Sequence, residues 1–230
     1  VEVSISFQPI RALAPAKREE IKRLLTGLEA AAVFACALLD IWRWQYGRPH
    51  LWIVFLPVFA LSHLVHRDTL ASLGLGRTGL RASAQLALPI MLGFYIPLLV
   101  FGLASGRLQL LRPGSAALAY FLSYGAWCVC QQYLTQSYFH NRLMQAIRNR
   151  HLSSLLVAVM FGAAHIPNPV LMVVTTIAGF IFSEVFARHR NIWPLALAQT
   201  AGGFLIAALA PAWLIHNMRV GPGYFFWGIR

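Results

Sequence analysis

Two short stretches of the chain carry side chains whose types and spacing could do chemistry. The first reads Trp127-Cys128-Val129-Cys130-Gln131-Gln132-Tyr133-Leu134-Thr135-Gln136-Ser137-Tyr138-Phe139-His140-Asn141-Arg142. On a helix, Gln132, Gln136 and His140 recur every fourth residue and make one polar stripe, with Gln131 and Thr135 on the adjoining one. The second reads Met160-Phe161-Gly162-Ala163-Ala164-His165-Ile166-Pro167-Asn168-Pro169. It sets His165 at a helix end that Pro167 stops, with Phe161 one turn earlier. Carboxamides hydrogen-bond peptide groups and water but exchange no proton, whereas an imidazole does. Together they could orient a water or a peptide and supply one base. Each stretch also has a plainer reading. Glutamines bond across membrane helices, and a buried histidine can rest neutral against a backbone carbonyl.

Weaker constellations lie elsewhere. His63-x-x-His66 puts two imidazoles on one helical face, but no third ligand is evident, so neither a metal nor any other cofactor is specified. Cys36, Cys128 and Cys130 fall inside apolar runs without zinc-ribbon or thioredoxin spacing and read as packing residues. Cys128 lies one turn before Gln132, but a Cys128–His165 nucleophile would need a charged neighbour to favour the thiolate, and the sequence supplies none. The acidic residues are Glu2, Glu19, Glu20, Glu29, Asp40, Asp68 and Glu184, so none lies between positions 69 and 183. Glu184 and Arg188 are spaced as an i,i+4 ion pair.

The elements that must position these groups are membrane helices. The chain has 230 residues, of which 58% are hydrophobic and only 11% charged, with mean hydropathy +0.62. A soluble domain carries about 25% charged residues, so too little polar surface remains here to cover a water-facing globule. That excludes an ordinary cytosolic enzyme, a disordered chain and a disulfide-stapled secreted module. Reading for about 20 apolar residues per crossing gives spans near 26–46, 51–65, 82–104, 115–138, 152–168, 169–187 and 192–215. The fold class is an all-α polytopic membrane bundle of about seven transmembrane helices.

The charge is lopsided, with 19 Lys and Arg against 7 Asp and Glu. The basic residues sit singly or in pairs between apolar runs, which suits loops held against an anionic leaflet rather than nucleic acid. Thirteen of them fall on one side of the expected bundle and six on the other, which orients the N-terminus to the cytoplasm. Val1 is consistent with an alternative bacterial start codon, hence a bacterial inner membrane. Residues 1–25 form a basic N-terminal segment with no leader-like apolar core, and Pro15–Leu25 reads as a helix on the membrane surface. Residues 26–215 make one transmembrane domain. Residues 216–230 are an aromatic tail, either an interfacial anchor or a lid.

Taken in order, the motifs resemble those of the CAAX-protease and bacteriocin-processing (CPBP, or Abi) superfamily of intramembrane endopeptidases. That family shows Glu-Glu-x-x-x-Arg on one helix, Phe-x-x-x-His on the next and His-x-x-x-Asn or Asp on a later one. Here Gln131-Gln132-x-x-x-Gln136 stands at the first motif, and Phe161-x-x-x-His165 matches the second in full. The third register falls at Gln199-x-x-x-Gly203, after Asn191-Ile192-Trp193-Pro194. Leu73-Gly74-Leu75 is also similar to the family, so the resemblance runs over roughly residues 50–205.

The resemblance implies an intramembrane peptidase acting on a membrane-embedded or lipidated peptide or protein. Its catalytic positions are Gln131, Gln132, Gln136, His165 and Gln199, with Phe161, Thr135, His140 and Gly203 against the substrate. A buried carboxylate can be tuned to accept a proton near neutral pH; an amide cannot. We therefore expect reduced hydrolysis, with a neutral His165 as the one base that could act on a glutamine-oriented water. The alternative is a pseudoprotease that binds a membrane peptide without cutting it. A second alternative is a small-molecule or lipid carrier.

Overall fold

The computed structural model describes residues 14–106 and 115–226, and every regular element among them is helical. Helix α1 (Pro15–Gly47) starts on a proline, whose missing N–H costs nothing at a first turn, and passes through π-helical turns at Asp40–Trp44. The expected surface helix at Pro15–Leu25 is the opening of this same helix. Its tail segment 1–13, like Trp227–Arg230 at the other end, lies outside the described residues.

Helix α2 (Leu51–His66) ends at Arg67, and α3 (Leu80–Ala104) carries Pro89 and Pro97. Helix α4 (Ser115–Gln132) runs on through π-helical turns at Tyr133–His140 into α5 (Asn141–Ile147). Helix α6 (Arg150–Ala163) is capped by Asn149, and α7 (Pro169–His189) by Asn168 with Pro169 in its first turn. Helix α8 (Trp193–Leu209) is followed by the single turn α9 (Ala212–Ile215).

Three of these, α1, α3 and α7, are long and apolar enough to cross a bilayer; α2, α6 and α8 are apolar but shorter. Each of the seven expected spans overlaps a helix, but 152–168 runs past the end of α6 at Ala163 and 192–215 past the end of α8 at Leu209, and among the described residues three helices meet the length by themselves. Leu64, Leu103, Leu118 and Leu197 are all exposed. That belt of outward leucines suits a surface solvated by lipid rather than water.

Small residues set the tightest helix pair. A Cβ on Gly162 of α6 would meet Thr176 Oγ1 and, at 3.1 Å, the Met172 carbonyl of α7; one on Gly179 would lie 3.2 Å from Ala158 Cα. Helices α3, α7 and α8 meet in the rest of the bundle, where Ala87, Met91, Phe182, Phe186 and Leu195, with Ile192 of the α7–α8 turn, form one buried cluster.

The loop between α2 and α3 is clamped from two sides. Ser137 donates to the Leu73 carbonyl and Asn141 to that of Ser72, while the Ile192 N–H bonds Gly74 O and Asn191 bonds Gly76 O and Thr78 O. Gly74 has φ +70°, and a Cβ there would collide with the Phe186 ring and the Arg190 carbonyl. The Leu73-Gly74-Leu75 segment thus fills one end of the bundle, beneath α4 and the α7–α8 turn.

Candidate functional site

The stripe read from the sequence lands partly in the π-helical stretch. There i→i+5 bonding replaces the regular helical spacing, so Gln132 and Gln136 turn toward different helices. Gln132 is fully buried; its Nε2 donates to Gln199 Oε1 of α8 at 2.6 Å, and Gln199 Nε2 donates in turn to Gln131 Oε1 at 2.5 Å. Gln136, also fully buried, accepts from Ser183 Oγ of α7 at 3.1 Å. Three of the expected positions (Gln131, Gln132 and Gln199) are thus joined in one amide chain between α4 and α8, with Gln136 one turn on.

Two atoms of this amide cluster have no hydrogen-bond partner: Gln132 Oε1, an acceptor, and Gln136 Nε2, a donor. A buried polar atom without a partner costs about 1–3 kcal/mol, so the cluster keeps an unmet demand for one N–H and one C=O. The other expected contacts have different employment. Thr135 spends its hydroxyl on the Gln131 carbonyl of its own helix at 2.8 Å. His140, fully buried, lies 3.3 Å from Ser154 Oγ through Nε2, while its Nδ1 has no partner. Gly203 receives the Tyr124 phenol where any Cβ would stand, and its neighbour Gly202 receives Tyr95.

His165 follows the last turn of α6. Its Nδ1 lies 2.7 Å from the Phe161 carbonyl and 3.3 Å from Thr175 Oγ1, and its ring meets the Phe161 ring edge-on at 5.0 Å. A carbonyl only accepts, so Nδ1 carries the hydrogen and Nε2 keeps its lone pair. Among the described residues, no hydrogen bond links His165 to the glutamines.

The helix break behind it is pinned by the tail. Asn168 donates to the Ile215 and Arg219 carbonyls at 2.7 and 3.2 Å, the Gly221 N–H bonds Ile166 O, and the Gly223 N–H reaches Tyr46 of α1. The tail therefore straps α1 to the His165 turn.

A second group of polar side chains, not foreseen from the sequence, forms a charged cluster on the α1–α2 side of α4 and α5. Arg142 has no exposed surface. Its guanidinium lies 2.7 Å from Asp68, 3.3 Å from Glu29 and 2.8 Å from Ser62 Oγ, above the Tyr138 ring. Glu29 also bonds Ser62, Tyr138 and His66; His63 bridges Asp68 and Tyr133. The two histidines of the His63-x-x-His66 pair are thus each taken by a different carboxylate. Burial works against the Asp68 carboxylate, but hydrogen bonds and charge from Arg142 and His63 hold it below the usual aspartate range. One available signal was charge itself: Glu29, Asp68 and Arg142 each sit at or within an apolar run, where a lone charge needs a partner.

This is a helical membrane protein with a neutral cluster of buried amides and a separate charged cluster. Residues 113–205 match the family model of the Type II CAAX prenyl endopeptidase Rce1-like proteins. The matched stretch contains Gln131, Gln132, Gln136, Phe161, His165, Gln199 and Gly203, and it bears out the CPBP resemblance. No curated protein and no solved structure matches the chain.

Proposed function

We propose that the chain is a CAAX-protease-like membrane scaffold that holds the backbone of a membrane-embedded or lipidated peptide in its amide pocket and hydrolyses it slowly or not at all. The observation carrying this reading is the pair of unpartnered buried atoms, Gln132 Oε1 and Gln136 Nε2. An extended peptide offers both what the first accepts and what the second donates to. Glutamine keeps glutamate's shape without its basicity, so recognition survives where activation of water is lost. The free Nε2 of His165 is the remaining base, acting on a water that Gln131 or Gln132 orients.

In this reading residues 26–215 form one domain whose seven helices all lie within a bacterial inner membrane, the shorter ones tilted or protein-covered. Residues 1–25 stay cytoplasmic, and the tail from His216 serves either as an interfacial anchor or as a lid at the outer end.

The test is retention of a hydrophobic peptide bearing a photo-crosslinker by the full chain in detergent. Gln132→Met and Gln136→Met, which keep volume and remove the polar atoms, should each weaken retention about tenfold, the equivalent of one hydrogen bond at roughly 1.4 kcal/mol. Equal retention by both variants and the parent would remove the pocket from peptide binding.

A further inference from the structure

The charged cluster contains a three-residue chain that is separate from the glutamines. Tyr133 Oη lies 2.6 Å from His63 Nε2, and His63 Nδ1 lies 2.7 Å from Asp68 Oδ2. His63 Nδ1 also lies 3.3 Å from Arg142 Nη2, which only donates, but the shorter contact is to the carboxylate, which only accepts; in the neutral ring Nδ1 therefore carries the hydrogen and Nε2 accepts from the phenol. This is the logic of a nucleophile, its base and the base's orienting acid, with a tyrosine hydroxyl in the first place.

We propose that Tyr133, His63 and Asp68 form a second reactive centre, an activated phenol that takes a neutral electrophile such as an ester or amide carbonyl. Three observations support it. Asp68 is fixed by the fully buried Arg142 guanidinium at 2.7 Å, so the acid end of the chain cannot swing away. The second carboxylate, Glu29, is occupied by Ser62, Tyr138 and His66, which leaves Asp68 to serve His63. Tyr133 itself is only half-buried, with its ring held edge-on against Phe59 and His63.

The choice of ligand follows from charge and surroundings. Two carboxylates face one guanidinium here, which disfavours phosphate or carboxylate ligands, and Phe55, Phe59 and Leu134 make the neighbourhood apolar. In the step itself, Tyr133 Oη bonds to the electrophilic atom and the leaving group departs with its electron pair. The phenol proton passes to His63 Nε2, and Asp68 steadies the resulting imidazolium. The centre is independent of peptide binding at the glutamines.

An aryl sulfonyl fluoride tests this on the full chain in detergent, with each tyrosine followed by mass spectrometry. Tyr133 Oη would replace fluoride at sulfur, its proton going to His63. Against the exposed Tyr46, Tyr133 should react at least about tenfold faster, part of the ~10²–10⁴-fold that a positioned base supplies. His63→Gln should remove that advantage and leave Tyr46 unchanged. Labelling of Tyr133 at or below the Tyr46 rate in the parent overturns the proposal without any variant. So does a Tyr133 rate untouched by His63→Gln in a protein that keeps its helical signal.

Discussion

Two polar regions flank the same stretch of chain and solve burial in opposite ways. On the side facing α7 and α8, Gln131, Gln132, Gln136 and Gln199 are neutral, short-range and incompletely bonded. On the side facing α1 and α2, Glu29, Asp68 and Arg142 are ionised partners, with two histidines and two tyrosines bonded around them. Removing one amide costs little, because an amide leaves no uncompensated charge. Removing one ion strands the others. The first region can therefore tolerate changes, while the second fixes the α1–α2 pair to the bundle.

The largest expected effect comes from deleting the centre of the charged cluster. Arg142→Met leaves Asp68 and Glu29 facing each other and should destabilise the fold by about 3–5 kcal/mol, read as thermal unfolding in detergent. A loss under about 1 kcal/mol, the range of an exposed pair, would mean that the cluster is solvated and the contrast false.

Next is the tight α6–α7 contact beneath His165. Gly162→Ala places a methyl against Thr176 and the Met172 carbonyl. It should cost about 1–3 kcal/mol through overpacking, again by thermal unfolding, and indifference would show that the helices sit further apart.

Acid should separate the two regions. The Asp68 carboxylate is held below its ordinary value, so its contribution is complete above the unfolded value near about 3.9 and is lost as pH falls through the lower folded value. Hydrogen exchange should show α2 loosening in that window before α8 does, and Asp68→Asn should flatten the difference. The smallest effect is expected in the amide pocket. Gln132→Leu removes a hydrogen bond together with an unpartnered acceptor, for a net change of about 1 kcal/mol or less. A much larger loss of stability would assign Gln132 to the scaffold.

Much of the architecture was legible because it depends on local signals. Apolar length marked the helices, Ile166-Pro167-Asn168-Pro169 marked the break after α6, and Asn168 with Pro169 supplied a cap and first turn. Gln131, Gln132 and Gln199 were legible as one group through ordered motifs. Two features were not. The π-helical turns at Tyr133–His140 divide a stripe that regular spacing would keep on one face, and no residue type announces them. The charged cluster joins Glu29, Ser62, Asp68 and Arg142 across separations of 74 to 113 residues from Arg142. Its carboxylates come from α1 and from the loop after α2, outside the acid-free stretch between positions 69 and 183.

The most direct test of the neutral pocket is a side-by-side proteolysis assay of the parent and the Gln131→Glu/Gln132→Glu variant on one membrane peptide. Both should retain the peptide, and the carboxylate variant should cut it at least about 10²-fold faster, the contribution of a competent general base. A parent that cuts as fast as the variant would contradict the account.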